Sequence, residues 1–260
     1  PTHQDLLDWL AVEFMDQGWS LKALHRLIVT SATYRQSSRV TPDLLAKDPR
    51  NELLGRGPRF RLEAEVIRDL ALEASGLLVH EIGGPSVYPP QPEGASALAY
   101  GMSPLKESQG SALYRRGLYT FTKRTAPYPS FTTFDAPTSE VTCVRRERSN
   151  TPLQALTLLN DTVFMEASRA LARGVVSDRR WTSDEARAQR LYRLCVTRSP
   201  RSDEVQTLVD FVQTQRASLS ATDADKIVGS LRGTAPAREL AAWITAARVV
   251  LNLDETICKE

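Results

Sequence analysis

Between Gly76 and Arg116 no stretch of this 260-residue chain can sustain a regular element, whereas on both sides apolar residues return at helical spacing. The segment "GGPSVYPPQPEG" (Gly83 to Gly94) is too rich in proline and glycine for a helix or a central strand, and irregular sequence continues through "GMSPLKESQGS". A loop of this length inside a compact domain is expected to be either functional or disordered. Its apolar and aromatic residues, Val87 and Tyr88 among them, predict that it packs against the body.

Helical signals dominate upstream. Thr2 followed by Asp5 resembles a capping box with Asp in place of Glu, and Leu6, Leu7, Leu10 and Phe14 recur at helical spacing up to Gly18. Ser20 is placed to cap a second helix with Leu21, Leu24, Leu27 and Ile28 on one face, so the pair reads as an αα-hairpin. A third helix fits "RLEAEVIRDLALEAS" (Arg61 to Ser75), ended by Gly76, with Leu62, Val66, Ile67 and Leu70 inward. Arg61 with Glu65, and Glu65 with Arg68, stand at pairing distances and predict a solvated, salt-bridged face.

Downstream, Thr151, Pro152 and Gln154 supply the cap, first-turn proline and capping-box partner of a helix expected to run to about Gly174. Further helices fit "DEARAQRLYRLCVTR", "SDEVQTLVDFVQTQ" and "PARELAAWITAARVVLN". In the last, Leu240, Trp243, Ile244, Ala247, Val250 and Leu251 form a stripe to be buried, and Asn252 suits the stop. Between the helical halves, "RRGLYTFTKR" (Arg115 to Arg124) and "SEVTCVRR" (Ser139 to Arg146) read as two short strands around the turn-rich "TAPYPSFTTFDAP". The expected fold is mainly α, one helical domain over 1–260 with a small antiparallel β insertion and a long Pro/Gly-rich loop. Its parts are the N-terminal helices 1–75, the loop and insertion 76–150, and the C-terminal helices 151–260. The chain opens on Pro1 inside a helix-start pattern, so it is expected to be a piece of a longer protein.

Several chemistries are not supported. No G-x-S-x-G elbow, H-E-x-x-H helix, phosphate-binding loop or G-x-G-x-x-G occurs, and His3, His25 and His80 form no metal-binding spacing. Cys143, Cys195 and Cys258 lie far apart, form neither CxxC nor CxxCH, and are read as free core thiols. A balance of 33 basic against 31 acidic residues is too near neutral to indicate nucleic acid, and the second N-terminal helix is too apolar for a DNA-reading helix. No segment is apolar for long enough to span a membrane.

Charge departs from neutrality in one place. From Leu113 to Thr151, Arg115, Arg116, Lys123, Arg124, Arg145, Arg146 and Arg148 face only Asp135, Glu140 and Glu147. Arginine forks hold carboxylate, sulfate or phosphate bidentately, and Tyr119, Tyr128, Phe131 and Phe134 offer a stacking wall. The expected anion site therefore comprises Arg115, Arg116, Arg124, Arg145, Arg146, Arg148, Tyr128 and Phe134. The competing expectation is that these arginines pair with the chain's own carboxylates and fasten the insertion to the helical body.

The words "PTHQDLLDWLAVEFMDQGWSLKALHRLIVTSATYRQSS", "RFRLEAEVIRD", "GGPSVYPPQPEG", "YRRGLYTFTKRTAPYPSFTTFDAPTSE", "RRERSNTPLQALTLLND" and "LNLDE" span the chain from end to end. In them the chain resembles a planctomycete domain of unknown function found at the C-terminal end of large proteins with planctomycete-type cytochrome c domains. The resemblance implies an extracytoplasmic location (periplasmic or cell surface) and, by association, electron transfer or surface-polymer metabolism. Any haem c would belong to an upstream domain, since this segment has no CxxCH. The resemblance carries no catalytic residue. Two functions follow as expectations: a non-catalytic scaffold or docking module that meets neighbouring domains or a partner protein, or a module that binds or hydrolyses an anionic, sulfated or acidic polysaccharide through an arginine-rich cleft.

Overall fold

The computed structural model describes residues 1–92, 106–231 and 235–259. Part of the Pro/Gly-rich loop read from the sequence, residues 93–105, therefore lies outside the described residues. The chain divides into two compact units, Pro1–Phe60 with Cys258–Glu260, and Arg61–Ile257.

The first unit holds α1 (Gln4–Asp16), α2 (Leu21–Thr30) and α3 (Pro42–Lys47). Ser20 caps α2 as expected, its hydroxyl accepting from the Ala23 N–H at 3.3 Å. The Thr2 capping box does not form. α1 starts at Gln4 with His3 at the cap position and no side-chain cap, while the His3 ring contacts the Glu52 carbonyl at 2.6 Å. The sheet among the described residues is antiparallel and pairs β1 (Phe60–Arg61) with β2 (Cys258–Lys259).

The second unit comprises α4 (Ala64–Ser75), α5 (Pro129–Thr133), α6 (Pro152–Asn160), α7 (Thr162–Ser177), α8 (Asp184–Val196), α9 (Ser202–Ser218), α10 (Ala221–Val228), α11 (Ala237–Leu251) and α12 (Asp254–Ile257). α11 is its centre. Trp243, Ile244, Leu240 and Val250 are fully buried, and Ala241, Ala242, Ala246 and Ala247 let α7, α9 and α10 close around it. The stripe read from the sequence is the observed one. Helix ends inside this unit are closed by arginines from neighbours: Arg248 donates to the Leu159 carbonyl at 2.6 and 3.0 Å, and Arg169 to Ile227 at 2.9 Å.

The helix from Thr151 forms its capping box, but it ends at Asn160 instead of running on. Asp161 takes extended backbone and its carboxylate accepts from the Val163 N–H at 2.9 Å, which starts α7 afresh. α4 turns inward a face that is only partly the one expected: Ile67 is buried as read from the sequence, and Leu62 and Leu70 are half-buried. Ala64, Ile67, Arg68, Ala71 and Leu72 are buried, while Val66 is exposed and the Arg61–Glu65–Arg68 surface pairs are replaced by other partners.

The two strands expected in the insertion do not form. Gly117–Tyr119 is a 3₁₀ turn, and its segment makes only isolated bridges, Val79 with Arg115 and Val87 with Thr120. The facing segment carries Pro85, Pro89 and Pro90, which have no N–H to extend a ladder. Ser139, at the head of the second expected strand, sits at φ +64°, outside extended geometry. The small β element is therefore β1 with β2, at other positions. Val87 is buried and Tyr88 stacks on Phe121 at 5.0 Å, so the described part of the loop packs as expected.

Two ion-pair networks tie the helices. Arg216 grips Asp184 with two bonds of 2.6 Å and Glu239 at 2.5 Å, and Arg187 and the Trp243 indole reach the same Glu239. Arg198 joins Glu204 and Glu255, holding the Glu204 carboxyl at a pKa of about 2 instead of 4.5. A depressed carboxyl pKa contributes stability above the unfolded value, and that contribution disappears as pH falls through the folded one. In urea titrations across pH, Arg198→Gln is expected to reduce the part of the pH dependence that falls between about 4.5 and about 2, the remainder belonging to Asp178, Asp184 and Asp203, whose carboxyls other arginines hold low. Gly174 lies on an exposed turn of α7 with open space at its Cβ, so Gly174→Ala is expected to stabilise the chain by about 0.5–1 kcal/mol. Ile244→Ala is expected to cost about 2–5 kcal/mol in the same assay.

Candidate functional site

A cleft of about 430 Å³ opens in the second unit. One wall is the exposed side of α4, carrying Glu65, Val66 and Asp69, with Glu63 just before the helix. Residues 65 and 69 are one helical turn apart, which brings both carboxylates to one face. The opposite wall is the 116–122 segment, with Tyr128 and Phe131 near α5 and Arg146 at the rim. Gly117 sets how closely the walls meet. A Cβ there would lie 2.9 Å from the Glu65 Cβ and 3.0 Å from its Cα, so a side chain would force α4 away.

Local geometry places each group. Asp69 accepts the Gly117 N–H at 2.6 Å, with Arg68 and Arg116 each 3.8 Å away. Burial pushes the Asp69 carboxyl up, opposed by that N–H and the two guanidiniums. Arg146 holds Glu65 bidentately at 2.6 and 3.1 Å and reaches Glu63 at 3.3 Å; its hydrogen bonds to Glu65 keep its guanidinium firmly protonated. The Tyr128 hydroxyl donates to the Pro90 carbonyl at 3.2 Å, and burial pushes its ionisation up.

The arginines expected to converge do not act as one cluster. Only Arg116 and Arg146 line the cleft. Arg115 is 4% exposed; it donates to the carbonyls of Pro85 at 3.0 Å, Glu81 at 3.3 Å and Gly83, and its guanidinium lies 3.9 Å over the Tyr119 ring. Arg124, Arg145 and Arg148 are exposed and do not line the cleft. Phe134 is buried against Phe164, with ring centres 6.5 Å apart, and leaves Tyr128 as the one aromatic of the expected site in the cleft. Asp135, read as a partner for these arginines, instead accepts from the Ser149 N–H and hydroxyl at 2.7 and 2.8 Å. Glu63, Glu65, Asp69 and Thr120 were not legible as site residues, whereas Phe131 of the expected stacking wall does line the cleft. The signal available was the i, i+4 spacing of Glu65 and Asp69, which commonly marks a solvated helix face.

Among the described residues no group of His, Cys, Asp and Glu is arranged to hold a metal ion. None of the three histidines lines the cleft. Cys143 is exposed, which departs from the core position expected for it; Cys195 is buried, and burial pushes its thiol up to about 12. Arg115→Ala is expected to cost about 2–3 kcal/mol by denaturant titration, because charged donors to three carbonyls are lost. Arg146→Ala is expected to cost about 1–2 kcal/mol, and Arg124→Ala and Arg145→Ala to stay within about 0.5 kcal/mol.

No curated protein and no solved structure matches this chain. Residues 1–212, well over half its length, match the family PSD1, described as a protein of unknown function (DUF1553). The chain belongs to that family.

Proposed function

We propose that the chain is a non-catalytic docking module of a larger extracytoplasmic, cytochrome-c-associated planctomycete protein, and that its N-terminal helices receive an acidic amphipathic helix from a neighbouring domain or a partner protein. The observation that carries this is the first unit's lack of a buried apolar layer. α1, α2 and α3 contain no buried residue, and Leu6, Leu7, Trp9, Val12 and Met15 are each about half exposed. Contiguous apolar surface of this kind marks an interaction site.

Within the unit, Leu6, Trp9 and Leu10 of α1 and Leu27 and Ile28 of α2 line a groove of about 610 Å³, closed by Tyr34, Leu54 and Pro58. Its ionisable lining is cationic. Arg56 donates to the carbonyls of Asp48 at 2.9 Å and Pro49 at 3.0 Å, and Lys259 sits 3.8 Å over the Tyr34 ring. Neither bond set neutralises a charge, so an apolar ridge with carboxylates on its rim is the complementary partner. The location and the cytochrome association rest on the family resemblance, and any haem c would be held by another domain. The anionic-polysaccharide reading has less support: in the second unit's cleft three carboxylates face two guanidiniums, and Arg115 and Arg146 are engaged internally.

Calorimetric titration tests the docking reading with helical peptides of one apolar pattern and either Glu or Lys on the rim. The Glu-rimmed peptide is expected to bind, and Leu6→Lys or Trp9→Ala to weaken it about tenfold or more. Equal binding of the Lys-rimmed peptide, binding of neither, or self-association abolished by Leu6→Lys would each contradict the proposal.

A further inference from the structure

We infer that the α1–α2 groove of the first unit also takes a free apolar carboxylate, an alkyl chain ending in one anionic group, in competition with the docking helix. The inference rests on the reading of that groove as a receptor for apolar, acidic partners, and it adds a small molecule that would regulate docking.

Neutral polar groups in the lining offer little. The Ser31 hydroxyl donates to the Ile28 carbonyl at 2.7 Å and accepts from the Tyr34 N–H at 3.1 Å. The Asn51 side chain donates to the Arg56 carbonyl at 2.8 Å and accepts from the Arg56 N–H at 3.2 Å. A sugar or other polyol would find few fixed partners here. What dominates is apolar wall, to which Leu6, Trp9, Leu10, Leu27, Ile28 and Leu54 contribute, together with two cations.

The cations set the sign of the ligand. Arg56 and Lys259 both line the groove and are half-buried, and among the described residues no Asp or Glu lines it. Arg56 donates to the Asp48 and Pro49 carbonyls, which leaves a second N–H on each terminal nitrogen. The Asp48 carboxylate does not answer that charge; it accepts from the Glu52 and Leu53 N–H groups at 2.8 and 2.7 Å. Lys259 meets aromatic faces, the Tyr34 ring at 3.8 Å and the Phe60 ring at 5.8 Å.

A neutral chain filling the groove would strip water from these charges without pairing either, and an alkylammonium would add a further positive charge. An apolar chain with a terminal carboxylate covers the wall and pairs with a cation. The groove's volume of about 610 Å³ lies in the usual range for small-ligand sites, roughly 300–1,000 Å³. The docking helix would use the same wall and the same cations, so each occupant excludes the other.

Calorimetric titration of the full chain with octanoate, decanoate and dodecanoate, each below its micelle concentration, tests this. Decanoate is expected to bind, and affinity to rise about fourfold per methylene across the series, as burial of each CH₂ requires. Decyltrimethylammonium and decanol are expected to bind about tenfold more weakly or worse. Lys259→Gln is expected to weaken decanoate about tenfold and Lys259→Arg to restore it. Lys22→Gln removes an exposed cation outside the lining and is expected to change nothing. Decanoate is also expected to displace the Glu-rimmed peptide competitively.

Failure of all three acids, equal binding of decyltrimethylammonium or decanol, full affinity in Lys259→Gln, or simultaneous binding of decanoate and peptide would each overturn the inference. Peptide binding with no decanoate binding would overturn it while the docking reading stands. Decanoate binding with no peptide binding would contradict the docking reading and leave the carboxylate site in place.

Discussion

The buried guanidinium of Arg68 organises the second unit around α4. It is 2% exposed and donates to the carbonyls of Leu113 at 2.6 Å and Arg115 at 2.7 Å, so a helix holds an irregular segment that has no ladder of its own. Arg115 repeats the device one layer out, gripping Glu81, Gly83 and Pro85. Two arginines thus supply the backbone partners that a sheet would otherwise provide, as buried carbonyls require. A planar fork with five donors can serve several carbonyls at once, which a lysine cannot. Burial disfavours the charged Arg68, and the nearby Tyr128, Asp69 and Asp161 offset part of that cost.

The cleft follows from this arrangement. With Arg68 turned inward, residues 65, 66 and 69 of α4 face outward, and Gly117 allows the clamped segment to approach Glu65. Asp69 then fastens the Gly117 N–H, and Arg146 fastens Glu65 from the far side. The arginine-rich region is therefore divided: Arg115 grips carbonyls, Arg146 grips carboxylates, Arg116 lies at the cleft, and Arg124, Arg145 and Arg148 are at the surface. The first unit shows the opposite balance, with amphipathic helices whose apolar residues have little of the chain's own structure to cover them.

Periodicity made the helices readable because each carries both a stripe and a punctuating residue: Ser20, Gly76, Thr151 and Asn252 all sit where the helix ends require them. The break at Asp161 was hidden because Asn160 and Asp161 interrupt the sequence without interrupting the apolar count. The strands of the insertion misled because alternation describes one segment and says nothing of its partner, here a proline-bearing loop. Arg68 read as a surface residue for the same reason. Its helix spacing fits a salt-bridged face, and only tertiary structure supplies carbonyls some forty-five residues away in sequence. Likewise Arg146 finds Glu65 across 81 positions, which local charge counting around Asp135, Glu140 and Glu147 could not locate.

Hydrogen exchange on Arg68→Met, a substitution that keeps the apolar stem and removes the donors, tests this account most directly. Amides of residues 79, 87, 115 and 117–121 are expected to lose protection while those of α11 keep theirs. Unchanged protection across residues 79–121, or loss spread evenly into α11, would contradict the claim that this one guanidinium holds the irregular segment to the helical body.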